Sequence, residues 1–170
     1  LDHPYAIKFY IEAGKIHYQA EAIDIYWCEI SKCPTLSEYL TLTRAKSSNY
    51  LIMVYKIMNL FSTSRHDLNN FVNLFGKFLI KLTSQIYTKK YDFLGIFKQY
   101  RADYKDLFIS TDENLNEDFA DCLSDGRFTF PLIHAVNSLN NDEIFDIVKI
   151  KTNNMETKQK CVKFILIFYE

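Results

Sequence analysis

The stretch IDIYWCEISKCPTLSEYL, residues 23–40, holds the end of one helix and the start of the next. Its first half continues a pattern that opens at Pro4, a residue favoured in the first turn of a helix, and places Ile7, Tyr10, Ile11, Ile16 and Ile23 on helical faces. Cys33-Pro34-Thr35 breaks that run. Thr35 then stands three residues before Glu38, the spacing at which a threonine hydroxyl and a glutamate carboxylate satisfy each other's backbone N–H groups at a helix start.

Working outward, LSEYLTLTRAKSSNYLIMVYKIMNLF (36–61) reads as a long helical pattern, followed by the turn STSRHDL with Ser64 and Asp67 as cap candidates. LNNFVNLFGKFLIKLTSQIY and FLGIFKQYRADYKDLF read as further helices. ISTDENLNEDFADCLSDGRFTFP is polar and reads as a loop ending in Asp125-Gly126 and Pro131. LIHAVNSL, NDEIFDIVKI and METKQKCVKFILIF read as the final helices, the last with a short apolar run that belongs in a core. Strand alternation is poor, so the expected fold class is all-α, with helices packed around a core.

The bulk numbers narrow the classes of function. The 170 residues are 48% apolar and 24% charged, a globular composition. Twenty basic and 21 acidic residues leave a net charge of −1, which argues against a non-specific nucleic-acid binder. No apolar run approaches the roughly 18 residues of a membrane helix. The four cysteines, Cys28, Cys33, Cys122 and Cys161, form no C-x-x-C pair and have no zinc spacing. Buried reduced thiols and a reducing, cytoplasmic compartment are the expectation. The 16% aromatic content suits ordinary core filling, or the lining of an apolar cavity. The histidines show no catalytic pattern: His134 reads as packed in a helix, His66 as solvated beside Asp67, His3 as exposed near the terminus, and His17 as without a role.

One stretch carries possible chemistry. QYRADYKDL (99–107) sets Asp103 and Asp106 on one helix face at i, i+3, with Ala102 where a carboxylate pair would be completed. The residues alone leave two readings open, half of a metal site or a solvated helix end.

Several segments together resemble the trans-isoprenyl diphosphate synthases, specifically the animal and fungal geranylgeranyl diphosphate synthases. LDHPYAIKFY resembles that family's LDHP segment, and residues 23–40 its D-I-Y-W and C-P-T stretch. AKSSNYL falls at its K-T-G-G-L-F, QYRADYKDL at its Q-I-R-D-D-Y, and FADCLSDGRFTFPLIHAV at its G-K-F-S-F-P-I-I-H-A. The resemblance implies an isoprenoid-synthase-type helical bundle and a single polyprenyl-synthase-like domain over residues 1–170, incomplete at both ends. Gly76 and Gly95 both match one family glycine, which implies an insertion at about 77–95.

By resemblance the chemistry is magnesium-dependent chain elongation, in which an allylic diphosphate ionises and isopentenyl diphosphate adds to the cation. Metal ions and cationic side chains stabilise the leaving diphosphate. The metal positions implied are Asp103 and Asp106. The diphosphate-binding positions are Lys46, Gln99, Arg101 and Arg127, with Asp24 and Ser47 at other motif positions. The family's first aspartate-rich motif has no counterpart in these residues, Ala102 replaces the first aspartate of the second, Glu21 replaces a glutamine, and Glu117 replaces a lysine. Ser48 and Asn49 stand in for two glycines. These departures imply weakened metal and diphosphate binding. Two readings therefore stand side by side: a geranylgeranyl-diphosphate-synthase-like prenyltransferase with reduced capacity, or a non-catalytic homologue or fragment that pairs with an intact synthase. A diphosphate lyase is a third. The partners implied are isoprenoid diphosphates and either a second copy or a full-length homologue, with no nucleic acid and no transmembrane segment.

Overall fold

The structure is a computed structural model that describes residues 3–61, 90–108, 119–139 and 142–169. The segment holding Ser64, His66, Asp67 and Gly76, most of the expected insertion, and Glu117 lie outside these residues. Among the described residues every regular element is helical, and the all-α expectation holds as an isoprenoid-synthase-type bundle.

Helix α1 (Pro4–Glu29) begins with its proline in the first turn. Its buried residues are Ala6, Ala13 and Ala20, seven apart and therefore on one side. Their small side chains let α3 (Asn49–Phe61) lie close, and Asn49 Nδ2 donates to the Ala13 carbonyl at 2.8 Å across the seam. The sequence pattern pointed instead to Ile7, Tyr10, Ile11, Ile16 and Ile23, all of which are exposed. Apolar periodicity marks a face but not what covers it, and here the alanine face wins because it permits the closest backbone approach.

The break at Cys33-Pro34 and the start of α2 (Leu36–Thr43) match the reading from residues. Thr35 Oγ1 accepts from Glu38 N at 3.2 Å, and Thr35 N donates to Glu38 Oε2 at 2.8 Å. Helix α2 runs into a π-helical turn, Arg44–Ser48, and on into α3. Helix α4 (Lys90–Phe108) crosses this turn at Gly95. A Cβ on Gly95 would meet Ser48 Oγ, with Ser48 N and Cα at 2.6 and 2.7 Å. Two backbones touch here, and only hydrogen fits between them.

A short helix, α5 (Asp121–Asp125), lies within the stretch read as loop. Its N-terminus is held from outside: Asp106 Oδ2 accepts from Cys122 N at 3.2 Å and the Asp106 carbonyl from Ala120 N at 3.1 Å. Gly126 closes it with φ +71°, a left-handed helix end that suits glycine. Pro131 does not end a loop but is the second residue of α6 (Phe130–Leu139). Helices α7 (Asp142–Ile150) and α8 (Met155–Tyr169) complete the order. Leu107, Leu123, Leu132, Ile133, Ile144, Val148 and Ile165 form the fully buried centre where α4 to α8 meet. The terminal apolar run divides: Val162 and Ile165 are buried, and Phe164, Leu166 and Ile167 are exposed. Lys158 is also buried, its Nζ donating to the Phe119 carbonyl at 2.7 Å. His134 is exposed on α6 rather than packed, and His3 is half-buried against the rings of Tyr5 and Phe61. No helix among the described residues is long and apolar enough to cross a membrane.

Replacing Gly95 by alanine is expected to lower stability by about 1–3 kcal/mol, the usual cost of overpacking. The double variant Gly95→Ala/Ser48→Gly should stay destabilised, because the obstruction is Ser48 backbone as well as its hydroxyl. Full recovery in thermal melts of the double variant would show that the side chain alone sets the spacing.

Candidate functional site

A small cavity of about 40 Å³ lies where α1, α2, the π-helical turn, α4 and the start of α6 converge. Asp24, Lys46, Gln99, Asp103 and Arg127 line it, from five separate stretches of sequence or turns of helix. Its volume accommodates roughly one water molecule.

Each lining residue is placed by a local feature. Asp24 is on the inward face of α1, and the π-helical turn brings Lys46 opposite it at 2.7 Å. Such turns add one residue to a helical turn and recur at functional sites. Lys46 Nζ also lies 3.1 Å from Glu21 Oε2. Gln99 bridges the two sides: its Nε2 donates to Asp103 Oδ1 at 2.7 Å, and its Oε1 accepts from Ser47 Oγ at 3.5 Å. Arg127 follows the left-handed Gly126, and its Nη2 donates to Asp125 at 2.8 Å. Burial works against the Arg127 charge, but the carboxylates of Asp106, Asp125 and Asp24 outweigh it and move its pKa further up. That cation is permanent.

Asp103 is buried on α4 and accepts three hydrogen bonds, from Tyr39 Oη at 2.6 Å, Phe130 N at 2.8 Å and Gln99 Nε2 at 2.7 Å. Burial raises its pKa from the ordinary aspartate value, and the bonds from Tyr39, Phe130 and Gln99 and the charge of Arg127 only partly offset this. Tyr39 stays a protonated donor, its pKa raised by burial and by Asp103. Cys28 also lines the cavity, but burial and Asp24 raise its pKa, so it is no thiolate nucleophile.

Of the positions singled out from sequence, Asp24, Lys46, Gln99, Asp103 and Arg127 share this cavity, and Ser47 touches it through Gln99. Asp106 is one turn further along α4, holding the start of α5. Arg101 is not brought to the cavity. Two residues beyond Gln99, it is turned about 200° around the helix and lines an apolar groove with Phe97, Tyr100 and Tyr104. Residue patterns missed Tyr39 and Thr129. Tyr39 follows the capping box by one residue, and no spacing links it to Asp103, 64 positions away. Thr129 lines the cavity with a buried hydroxyl that has no hydrogen-bond partner among the described residues.

Magnesium requires oxygen ligands, and three facts bear on whether these side chains supply them. Ala102 offers no side-chain oxygen, Asp103 gives both of its oxygens to protein donors, and Asp106 Oδ2 faces a backbone N–H. Among the described residues no group of three or more His, Cys, Asp or Glu side chains is arranged to hold a metal. The described residues do not form a metal site by themselves.

Three cations, Lys32, Lys46 and Arg127, two carboxylates, Asp24 and Asp103, a glutamine and the Thr129 hydroxyl thus surround one cavity of a helical bundle. The polyprenyl synthetase family matches residues 1–165, and the chain belongs to that family. It is 29% identical over 97% of its length to a terpene synthase of Matsumurasca onukii, covering 48% of that protein. It is 30% identical over 97% of its length to a geranylgeranyl pyrophosphate synthase of Metarhizium robertsii, covering 45% of it. A geranylgeranyl pyrophosphate synthase of Dictyostelium discoideum is 26% identical over the same share, with 48% covered. The chain thus spans about half the length of the curated relatives it matches.

The Asp103 geometry fixes a pH dependence. Its folded pKa lies above the unfolded value of about 3.9, so the native state binds the extra proton between the two. Stability is then greatest below the unfolded pKa and falls as pH rises through the folded value. Measured as the difference from Asp103→Asn in urea titrations, wild type should show that decline. Tyr39→Phe, which removes a bond that favours the charged form, should move it to higher pH. Asp103→Ala should cost about 3 kcal/mol by stranding buried donors. A flat difference curve would contradict the assignment.

Proposed function

We propose that the chain is part of a geranylgeranyl-diphosphate-synthase-like prenyltransferase of isoprenoid biosynthesis, and that the cavity is where the diphosphate of an isoprenoid substrate is held. The observation that carries this reading is the convergence of Lys46, Gln99 and Arg127 on one cavity with the unpartnered Thr129 hydroxyl. Family membership and the geranylgeranyl pyrophosphate synthases among its relatives support it. Lys46 and Arg127 supply positive charge for the leaving diphosphate, Gln99 a neutral donor, and the apolar wall of Trp27, Leu42 and Phe128 keeps water from a developing carbocation. Arg101, outside the cavity, enters only if a substrate extends around α4.

Asp103 and Asp106 are the carboxylates that would meet a magnesium ion arriving with the diphosphate. Their bonds to Tyr39, Gln99, Phe130 and Cys122 compete for the same oxygens, which supports weakened binding. The four free cysteines support a reducing, cytoplasmic setting.

The outer face of α1 favours a second reading. Ile7, Ile11, Tyr18 and Ile25 form one stripe on it and are half to three-quarters exposed. Such a stripe suits a subunit that works against a second copy or a full-length homologue.

The purified chain, given farnesyl and isopentenyl diphosphates with magnesium, is expected to form a twenty-carbon diphosphate slowly. Lys46→Met or Arg127→Met should lower the rate by about 10²-fold or more. No product from the chain alone, with the rate or product length of an added intact homologue changed by the chain, would replace the first reading by the second. In that case Ile11→Glu and Tyr18→Glu should abolish co-elution with the homologue in size-exclusion chromatography.

A further inference from the structure

Lys46 is the inner cation of the cavity, with its side chain only 18% exposed. It does not face the cavity unopposed. Asp24 Oδ2 lies 2.7 Å away and lines the cavity itself. Glu21 Oε2 lies 3.1 Å away, on the same face of α1 and one turn nearer its start. Two carboxylates on one ammonium leave a net negative group where an anion would enter, and like charge there lowers anion affinity.

The two acids are not equivalent. The Asp24 side chain is 20% exposed, a fixed wall of the cavity. The Glu21 side chain is 37% exposed and is absent from the cavity lining, so it does not touch a ligand there and acts on it by charge and by its hold on Lys46. His17 stands behind Glu21. Its ring, one turn back on α1, puts Nε2 3.6 Å from Glu21 Oε1, while Nδ1 donates to the Lys46 carbonyl at 3.3 Å. The carbonyl can only accept, so Nδ1 carries the proton. Tyr50 packs edge-on against the same ring, with centroids 4.8 Å apart.

We propose that Glu21 is a positioning residue that, as the second carboxylate on Lys46 beside Asp24, strengthens the hold of α1 on that ammonium and so attenuates diphosphate binding in this cavity. This rests on the reading of the cavity as a diphosphate site. A diphosphate that pairs with Lys46 must compete with Glu21 and Asp24 for its ammonium. Removing the Glu21 charge leaves Asp24 as the partner of Lys46 and makes the group neutral.

Inorganic pyrophosphate, titrated calorimetrically into the chain at low ionic strength without divalent ions, reads this directly. Glu21→Gln should bind about tenfold more tightly than wild type, with the gain shrinking as salt is added. Glu21→Ala, at a part-exposed helical position that tolerates alanine, should do the same. The gain should shrink to at most about half its logarithm in Glu21→Gln/Lys46→Met relative to Lys46→Met, leaving only relief of direct repulsion. Equal or weaker binding by both Glu21 variants, with wild-type binding lost in Lys46→Met, overturns this inference and leaves the diphosphate site standing. A gain of undiminished size after loss of Lys46 overturns it as well. Absence of pyrophosphate binding by wild type and both variants at millimolar concentration overturns the site itself.

Discussion

Asp103 lies 64 residues from Tyr39 and 27 from Phe130, and it accepts a hydrogen bond from each. Through these contacts one carboxylate on α4 joins the side of α2 to the first turn of α6. The Phe130 N–H is among those at a helix start that no intrahelical carbonyl can take, and Asp103 supplies the acceptor from another helix. Tyr39 and Phe130 also bring their rings to Tyr100, whose centroid is 4.2 Å from that of Phe130. Polar satisfaction and aromatic packing therefore meet at one junction, and the cavity wall depends on both. Because the carboxylate is buried, its charge has few screening partners, and any loss of a donor falls on the fold and the site together.

Much of the scaffold was legible because it follows from local chemistry. The Thr35–Glu38 capping box is a contact between residues three apart, and Pro4 and Gly126 mark their helix ends by backbone restriction. The gathering of Asp24, Lys46, Gln99, Asp103 and Arg127 came from resemblance, because no spacing links positions on α1, the π-helical turn, α4 and the start of α6. What residue patterns could not deliver were matters of three-dimensional phase. The outer isoleucines of α1 are as periodic as its buried alanines, and only the approach of α3 decides between them. Arg101 sits in the same motif as Gln99 yet on the far side of the helix. The short helix α5 has too few residues to show any period, and its start is fixed by Asp106 from outside.

The cavity combines family positions with residues that oppose them. Lys46 and Arg127 are both cations near the cavity, and each is paired: Lys46 with Glu21 and Asp24, Arg127 with Asp125. Paired in this way, charges hold the walls in place at the cost of attraction for an incoming anion. The same trade governs Asp103, whose hydrogen bonds secure the fold while occupying the oxygens a metal would use. Among the described residues, structural contacts occupy the same atoms that the proposed ligand roles would need.

The π-helical turn between α2 and α3 has a further consequence. Arg44–Ser48 carries one residue more than an α-helical turn, so the faces of α2 and α3 are offset by about 100°. That offset turns Lys46 toward Asp24 while still presenting Asn49 to Ala13 and the Ser48 backbone to Gly95. Loss of a single codon within this turn would keep the reading frame and give a continuous, locally unstrained α-helix. It would also break the Asn49–Ala13 and Ser48–Gly95 contacts together, because everything beyond the deletion rotates as one, and a deletion before Lys46 would turn that side chain away from Asp24 as well. The segment is therefore constrained in length as strictly as in the identity of Lys46.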